Sequence, residues 1–481
     1  MSSYTVAQNT SFLTAASILQ KVISFVYFTI IARVIGVGNT GEYFFAIAFT
    51  TIFTVIADFG MGPILTRETA KYPENSEKYL NTVFWTKVLF GLGAYFLVIF
   101  FINLLQYPIS IRHLVYLSGV TMFFDNLHSA FYSVFRGRKN LIYESIGIVG
   151  SQFITLVIGS FALLNHWSLI WLIAAYTIPS CLNALYSGYF ALRVYSLRLG
   201  LMWSKEIFKT FFLLALPFAI AGIISRLYAY TDSIIISKTL QKEHLGWWSV
   251  PYKITFAFQF IPVALSASVF PAMSSLLVAD RARIGNLFEK SWRYLFAIVF
   301  PLSFGLIALS GPVITKLYTP AYLPAVSVLR ILVISLIFGF LSFITGALLN
   351  ATNHQKIQTA LLGLALVVNV ILNLLLLPKI GINGAAISAL VGNITLWLGG
   401  YYFSSKYVKL SHRNIFKYAN QALWPALIMA IVVYYLSLKI NFIFTIPIGM
   451  VVYGILFFLA GGFNVSTIKN IWYKIRPKET I

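Results

Sequence analysis

The chain has 481 residues, of which 59% are hydrophobic and only 10% charged, against a charged share of ~25% in soluble proteins. Lipid must cover much of such a surface, and no polar stretch is long enough to form a soluble domain. Lys and Arg number 35 against 13 Asp plus Glu, but the basic residues gather in short loops between apolar runs rather than in a domain interleaved with aromatics, which argues against nucleic acid as a partner. The single cysteine, Cys181, excludes an intrachain disulfide and a cysteine-based metal site.

A helix needs ~20 apolar residues to cross a hydrocarbon core of ~30 Å. Candidate spans fall at 9–35, 42–66, 80–105, 113–135, 142–164, 169–192 and 211–237, then at 247–277, 292–316, 323–350, 357–377, 384–403, 418–438 and 441–462. The fold class that follows is an all-α polytopic membrane protein of about fourteen helices. The interruptions at 164–169 and 438–441 are the shortest. The first span lacks a basic leader and a small-residue cleavage site, so it reads as a span rather than a removed signal peptide.

Fourteen spans put both termini on one side. With both termini cytoplasmic, the inner loops and C-terminal tail hold 23 Lys/Arg, the outer loops 6 and the spans 6, which is the asymmetry that the positive-inside rule demands. The expected location is a cytoplasmic or plasma membrane. Residues 30–43, IIARVIGVGNTGEY, also lie over 235–248, IISKTLQKEHLGWW, at a constant offset of 205, with glycine at 41 and 246. The first segment joins spans one and two and the second joins spans seven and eight, so the chain reads as two six-helix lobes plus two extra helices. The expected boundaries are 1–209, 210–406 and 407–481, the last including a cytoplasmic tail.

Pro217, Pro251, Pro262, Pro271, Pro301 and Pro312 fall within or at the ends of spans seven to nine. Proline interrupts helical hydrogen bonding there and bends a helix, although proline is also simply commoner in membrane helices.

Ionisable groups at membrane depth cost ~2.5–3.5 kcal/mol each at mid-span and are candidates for function. The cationic set is Lys21, Lys87, Arg226, Lys253 and Arg330, with Arg33 at the end of span one. Against them stand Asp58, Asp125 and Asp232. Lys87, about two turns from the cytoplasmic end, reads as snorkelling to the interface. Lys21 and Arg226 sit too near mid-span for that; they either line a water-filled cavity or pair with the aspartates. A cationic cavity implies an anionic ligand, because Arg and Lys pair best with phosphate or carboxylate. Tyr228 and Tyr230, beside Arg226, either stack on sugar rings or face lipid.

No nucleotide-binding glycine loop, zinc-protease motif or metal-spaced histidine set occurs. No cofactor is expected, nor enzymatic activity. Energy must then come from an ion gradient or the membrane potential. Asp58, Asp125 and Asp232 are the candidate ion carriers, with a salt-bridge role equally open for each.

The stretches ARVIGVGNTGEY and DFGMGPILTRETA fit the patterns A-R-x-L-G-x-x-x-x-G-x-Y and D-x-G-x-x-x-x-x-x-R-E-x-A. With RLYAYTDSIIISK, VPYKI, VFPAMSSL and INGAAISALVG in order behind them, the chain resembles polysaccharide-biosynthesis flippases of the O-antigen repeat-unit (Wzx) type. These are a branch of the multidrug/oligosaccharidyl-lipid/polysaccharide exporter superfamily. Arg33, Gly36, Gly41 and Tyr43 match the first pattern and Asp58, Gly60, Arg67 and Glu68 the second; Ile35 departs from the usual leucine.

The resemblance implies two six-helix bundles around a central cavity and transfer of a polyprenyl-diphosphate-linked oligosaccharide from the inner to the outer leaflet. The expected cationic cavity comprises Lys21, Arg33, Arg67, Arg226, Lys253 and Arg330. Expected partners are the lipid-linked glycan and membrane lipids, with a polysaccharide polymerase and glycosyltransferases as candidates and no nucleic acid. Two rivals remain: a flippase for the peptidoglycan lipid precursor, with the same architecture, and a cation-coupled multidrug exporter of the same superfamily, which would have twelve spans and whose cationic substrates such a cavity would repel. A membrane-embedded glycosyltransferase or polymerase would need a catalytic group in a substantial aqueous loop, and the outer loops are too short for one.

Overall fold

The computed structural model describes residues 6–462; the tail beyond 462, expected to be cytoplasmic, lies outside the described residues. Every regular element among the described residues is helical. In chain order they are α1 (Val6–Asp58), α2 (Met61–Lys71), α3 (Ser76–Leu104), α4 (Ile109–Gly137), α5 (Ile142–Leu164), α6 (Leu169–Val194), α7 (Lys205–Thr239) and α8 (Lys242–Phe258). There follow α9 (Phe260–Ala279), α10 (Ala282–Ala308), α11 (Ser310–Leu317), α12 (Ala325–Ala351), α13 (Gln355–Ile380), α14 (Ile382–Tyr407), α15 (His412–Ser437) and α16 (Phe442–Leu459).

Twelve helical stretches among the described residues are long and apolar enough to cross a membrane. One of them, Ser11–Lys71, has 61 residues, which at 1.5 Å per residue is about 90 Å, far more than one crossing of ~30 Å uses. It breaks at Gly36, with φ 78° and ψ 172°, a backbone region open essentially to glycine alone. A second break follows at Gly60 (φ 71°) before α2. α4 falls outside the twelve because polar residues such as Asp125, Asn126 and His128 interrupt its apolar run, yet its 29 residues reach about 43 Å. With α1 divided at Gly36 and α4 included, fourteen helical stretches among the described residues are long enough to cross a membrane.

Other breaks have local causes. The expected eighth span divides into α8 and α9 at Gln259, and the ninth into α10 and α11 at Leu309. Pro262 and Pro312 each sit in the first turn after the break, where a missing N–H costs least. Pro217, Pro251, Pro271 and Pro301 lie inside continuous helices.

The contacts divide the chain into residues 1–250 and 251–481. In the first unit α4 is the hub, packed on α6, α3, α1 and α2, while α5 closes onto α1 and α6 and α7 lies along α1. Its core runs through Ile64, Leu65, Leu80, Val83, Val134, Phe135 and Ala215. The connection from α6 to α7 is stitched onto α3: Asn81 donates to the Arg198 carbonyl at 2.8 Å and accepts from Gly200 N at 2.8 Å, and Trp85 Nε1 donates to the Gly200 carbonyl at 2.8 Å. In the second unit α12 is the buried helix, packed on α14, α9 and α10, and α15 joins α10 to α16. Glu289 of α10, buried, accepts from Ser411 N at 2.7 Å and Asn414 Nδ2 at 3.0 Å, which holds the start of α15.

Candidate functional site

α4 carries a polar stripe at three- and four-residue spacing: Ser118, Thr121, Asp125, Ser129, Tyr132 and Arg136. That spacing places them on one face, and each finds a partner on a neighbouring helix. Ser118 meets Thr50 of α1 at 2.8 Å, Thr121 meets Thr177 of α6 at 2.7 Å, and Tyr132 donates to Asn183 of α6 at 2.9 Å. Arg136 Nε donates to Glu144 of α5 at 2.9 Å, and Glu144 is fully buried.

At the end of α1, Asp58 accepts from Lys87 Nζ of α3, and the same ammonium donates to Ser129 Oγ. Lys87 is 0% exposed and Asp58 33% exposed. The snorkelling expected of Lys87 is therefore corrected: a carboxylate, a hydroxyl and the Asn126 carbonyl at 3.4 Å supply inside the bundle what the interface would otherwise supply. Gly62 lies beside Asp58 and Ser133, so α2 approaches this pair closely.

Asp125 has a different setting. Ser180 Oγ of α6 donates to its carboxylate, and His128 Nδ1 stands 3.7 Å away. More than half of the Asp125 side chain, 54%, is exposed.

The other expected residues are spread over both units. Lys21 is half-buried and Arg33 exposed, both on the first part of α1. Arg67, on α2, is exposed and pairs with its neighbour Glu68 at 2.7 Å. Arg226 is exposed on α7 and has no protein partner among the described residues, whereas Asp232, on the same helix, is buried. In the second unit Lys253 is half-buried on α8, and Arg330 Nε of α12 donates to Ser310 Oγ at 2.8 Å.

The repeated segments meet in the first unit. A Cβ on Gly41 would strike the Lys242 carbonyl and lie 2.9 Å from Gly246 N, and a Cβ on Gly246 would strike the Val37 carbonyl. The glycines 205 residues apart are thus the small residues that let two connections touch backbone to backbone. Beside them a cavity of about 400 Å³ is lined by Glu42, Tyr107, Ser237 and Lys242 among others. Glu42 and Lys242 form an ion pair across it at 3.1 Å, and Lys238 lies 3.8 Å over the Tyr107 ring. Sequence reading did not single out Glu42, Lys242, His128, Ser180 or Glu144. The first two lie within the repeated segments 30–43 and 235–248, and the helical spacing from Asp125 marked His128.

The fold is that of an all-α polytopic membrane protein, and the family models that match it make it a transporter of the multidrug/oligosaccharidyl-lipid/polysaccharide exporter superfamily. The model for the polysaccharide biosynthesis protein family matches residues 6–277, more than half of the chain, and the chain belongs to that family. A MatE model matches residues 217–375.

Among relatives, the chain is 23% identical over 396 residues to the "Probable low-salt glycan biosynthesis flippase Agl15" of Haloferax volcanii, covering 81% of this chain and 82% of that one. It is 21% identical over 482 residues to the lipid II flippase MurJ of Bacillus subtilis, covering 89% and 87%. A further relative, 25% identical, is matched over only 42% of its own length. Among solved structures, a lipid II flippase MurJ in an inward closed conformation matches with TM-score 0.75 and 20% identity over 92% of this chain and 97% of that one, a likeness of fold.

Proposed function

We propose that the chain carries a saccharide linked to a polyprenyl diphosphate from the inner to the outer leaflet, driven by an ion gradient or the membrane potential. The observation that carries the reading is Arg226, a guanidinium at mid-helix, exposed and without a partner among the described residues. An unpaired cation at that depth is costly unless it serves a polar passage, and a diphosphate is the ligand a guanidinium fork fits best. In this reading Lys21, Arg33 and Arg67 join Arg226 as the proposed substrate contacts of the first unit, Lys253 and Arg330 are those proposed for the second, 1–209 and 210–406 remain the proposed lobes, and Asp58, Asp125 and Asp232 are the candidate coupling groups.

Two substrates carry the same diphosphate: an oligosaccharide repeat unit and the peptidoglycan precursor. The breadth of likeness to lipid II flippases, 89% of the chain in sequence and 92% in fold, supports the peptidoglycan precursor as the first to try. Family membership keeps the repeat unit beside it. A hydrophobic cation, the substrate class of a multidrug exporter, is opposed by the charge of Arg226.

Purified protein in liposomes, given each lipid-linked saccharide on one leaflet, should expose at least one of them on the other leaflet faster than protein-free vesicles do. Movement of a hydrophobic cation with neither saccharide moved would overturn the proposal.

The same reading keeps both termini cytoplasmic. In a Cys181→Ser background, single cysteines in loops 72–76 and 280–284 should react with an impermeant maleimide only after the membrane is opened, because both loops belong to the basic set. Labelling of both in intact cells would reverse the orientation.

A further inference from the structure

We propose that Asp125 is the seat of the transported proton, shared with Ser180 of α6 and approached past His128 of α4. The proposal rests on the reading of this chain as an ion-driven transporter and assigns the driving ion and its site.

Three observations separate Asp125 from the other aspartates. Asp58 is neutralised by the buried Lys87, and Asp232 is only 4% exposed. Asp125 is 54% exposed, and its recorded partners are a neutral hydroxyl and an imidazole. A carboxylate at membrane depth is costly unless it is partnered or reached by water, and in this proposal water brings or removes the proton.

The hydrogen bonds around it have two complete settings. With Asp125 ionised, the Ser180 hydroxyl donates to its carboxylate. With a proton on Asp125, the acid O–H donates to Ser180 Oγ, and the serine hydroxyl turns to the Thr121 carbonyl, 3.4 Å from Oγ. A hydroxyl donates one bond while accepting others, so neither setting strands a buried group. Ser180 lies on α6 and Thr121 on α4, next to the Thr121–Thr177 hydroxyl pair that ties the same two helices. Uptake of a proton therefore rewrites the α4–α6 contact, which gives the ion a different affinity for two arrangements of the bundle. The proton comes from water on one side and leaves to water on the other, and nothing else is consumed.

The surroundings favour a proton over a metal cation. A hard cation gathers about six oxygens, whereas here Ser180 bonds Asp125 directly and Thr121 bonds Thr177.

Several charged and titratable groups pack around this part of α4. α3 presents Lys87, held by Asp58 of α1. α5 presents Glu144, held by Arg136 of α4, and α2 carries the adjacent pair Arg67 and Glu68. α6 brings Tyr176 one turn before Ser180, packed on Tyr27 and Tyr43 of α1, and α1 also carries Lys21. On α4 itself Tyr132 is bonded to Asn183. His128, one turn further along α4, faces the carboxylate, its Nδ1 3.7 Å away.

The test reads the carboxylic-acid C=O band by infrared difference spectroscopy during a pH titration of the purified full chain, and flipping in liposomes under imposed pH or sodium gradients. Wild type should show a titrating band that Asp125→Asn removes and Asp232→Asn retains. Ser180→Ala should move its midpoint by about one pH unit, the scale of one lost hydrogen bond. Asp125→Asn should also abolish the acceleration by a pH gradient. A full band in folded Asp125→Asn, a Ser180→Ala titration identical to wild type, or acceleration by sodium but not by pH would overturn the proposal. If Asp125→Asn does not fold, Ser180→Ala decides. A titrating band lost in Asp125→Asn, with no saccharide moved by wild type, would leave the proton site standing and remove the substrate reading instead.

Discussion

Replacing Asp58 with Asn is expected to cost about 3–5 kcal/mol of stability, the range for stripping one partner from a buried ion pair. The asymmetry of the pair makes the expectation specific. Lys87 is fully enclosed while a third of Asp58 is exposed, so Asp58→Asn leaves an ammonium sealed among helices with only Ser129 and the Asn126 carbonyl. Lys87→Met leaves instead a carboxylate that water already touches, and a cost of about 1–3 kcal/mol is expected. The double replacement removes both charges and should recover most of the loss, since a buried pair replaced by neutral groups is often close to neutral overall. Thermal unfolding in detergent, with abundance in membranes as a second readout, gives the order: Asp58→Asn least stable, Lys87→Met next, the double variant near wild type. Single variants within about 0.5 kcal/mol of wild type would mean that the pair contributes nothing.

That pair also shows what one sequence does and does not disclose. The apolar runs were enough to mark the long apolar helices, because a bilayer demands length and hydropathy and little else. Even the short interruptions at 164–169 and 438–441 are real, with α5 ending at Leu164, α6 beginning at Leu169, α15 ending at Ser437 and α16 beginning at Phe442. The breaks within spans were half legible: Pro262 and Pro312 marked two of them, but Gly36 and Gly60 entered only as pattern matches until their positive φ angles explained them.

What the runs could not give is rotation. Depth along α3 put Lys87 two turns from an interface, and a long side chain at that depth snorkels if its helix face meets lipid. The face actually turns to Asp58, 29 residues earlier, and to Ser129, 42 later. A helix hydrophobic all round has no amphipathic stripe to reveal its inner side. α4 is the exception, since its polar spacing is readable, and there Asp125, Ser129 and Arg136 could have been assigned one face in advance. The match between 30–43 and 235–248 was also legible, yet the meeting of Gly41 with Gly246 was not, because a repeat reports equivalence and not contact.

Arg226→Ala is expected to cut flipping by about ten- to a hundredfold with little change in stability. Its guanidinium is exposed and holds no protein partner among the described residues, so its removal strands nothing inside the bundle, and surface changes of that kind stay within about 0.5 kcal/mol. Hydrogen bonds to a charged group contribute about 1.5–3 kcal/mol, and each 1.4 kcal/mol is about tenfold in affinity, which sets the range if Arg226 holds a diphosphate. Arg226→Lys keeps the charge and loses the planar fork, so its rate should fall between the two. Arg226→Glu should be worse than Ala, because like charges repel where neither is well solvated. This order, wild type above Lys above Ala above Glu, is what a phosphate contact requires, while a purely structural arginine would lower thermal stability in the same order. The measurement is initial flipping rate against lipid-linked substrate concentration, with unfolding temperature taken on the same preparations. Equal rates for Ala, Glu and wild type would take Arg226 out of the passage, and with it the observation on which the anionic substrate rests.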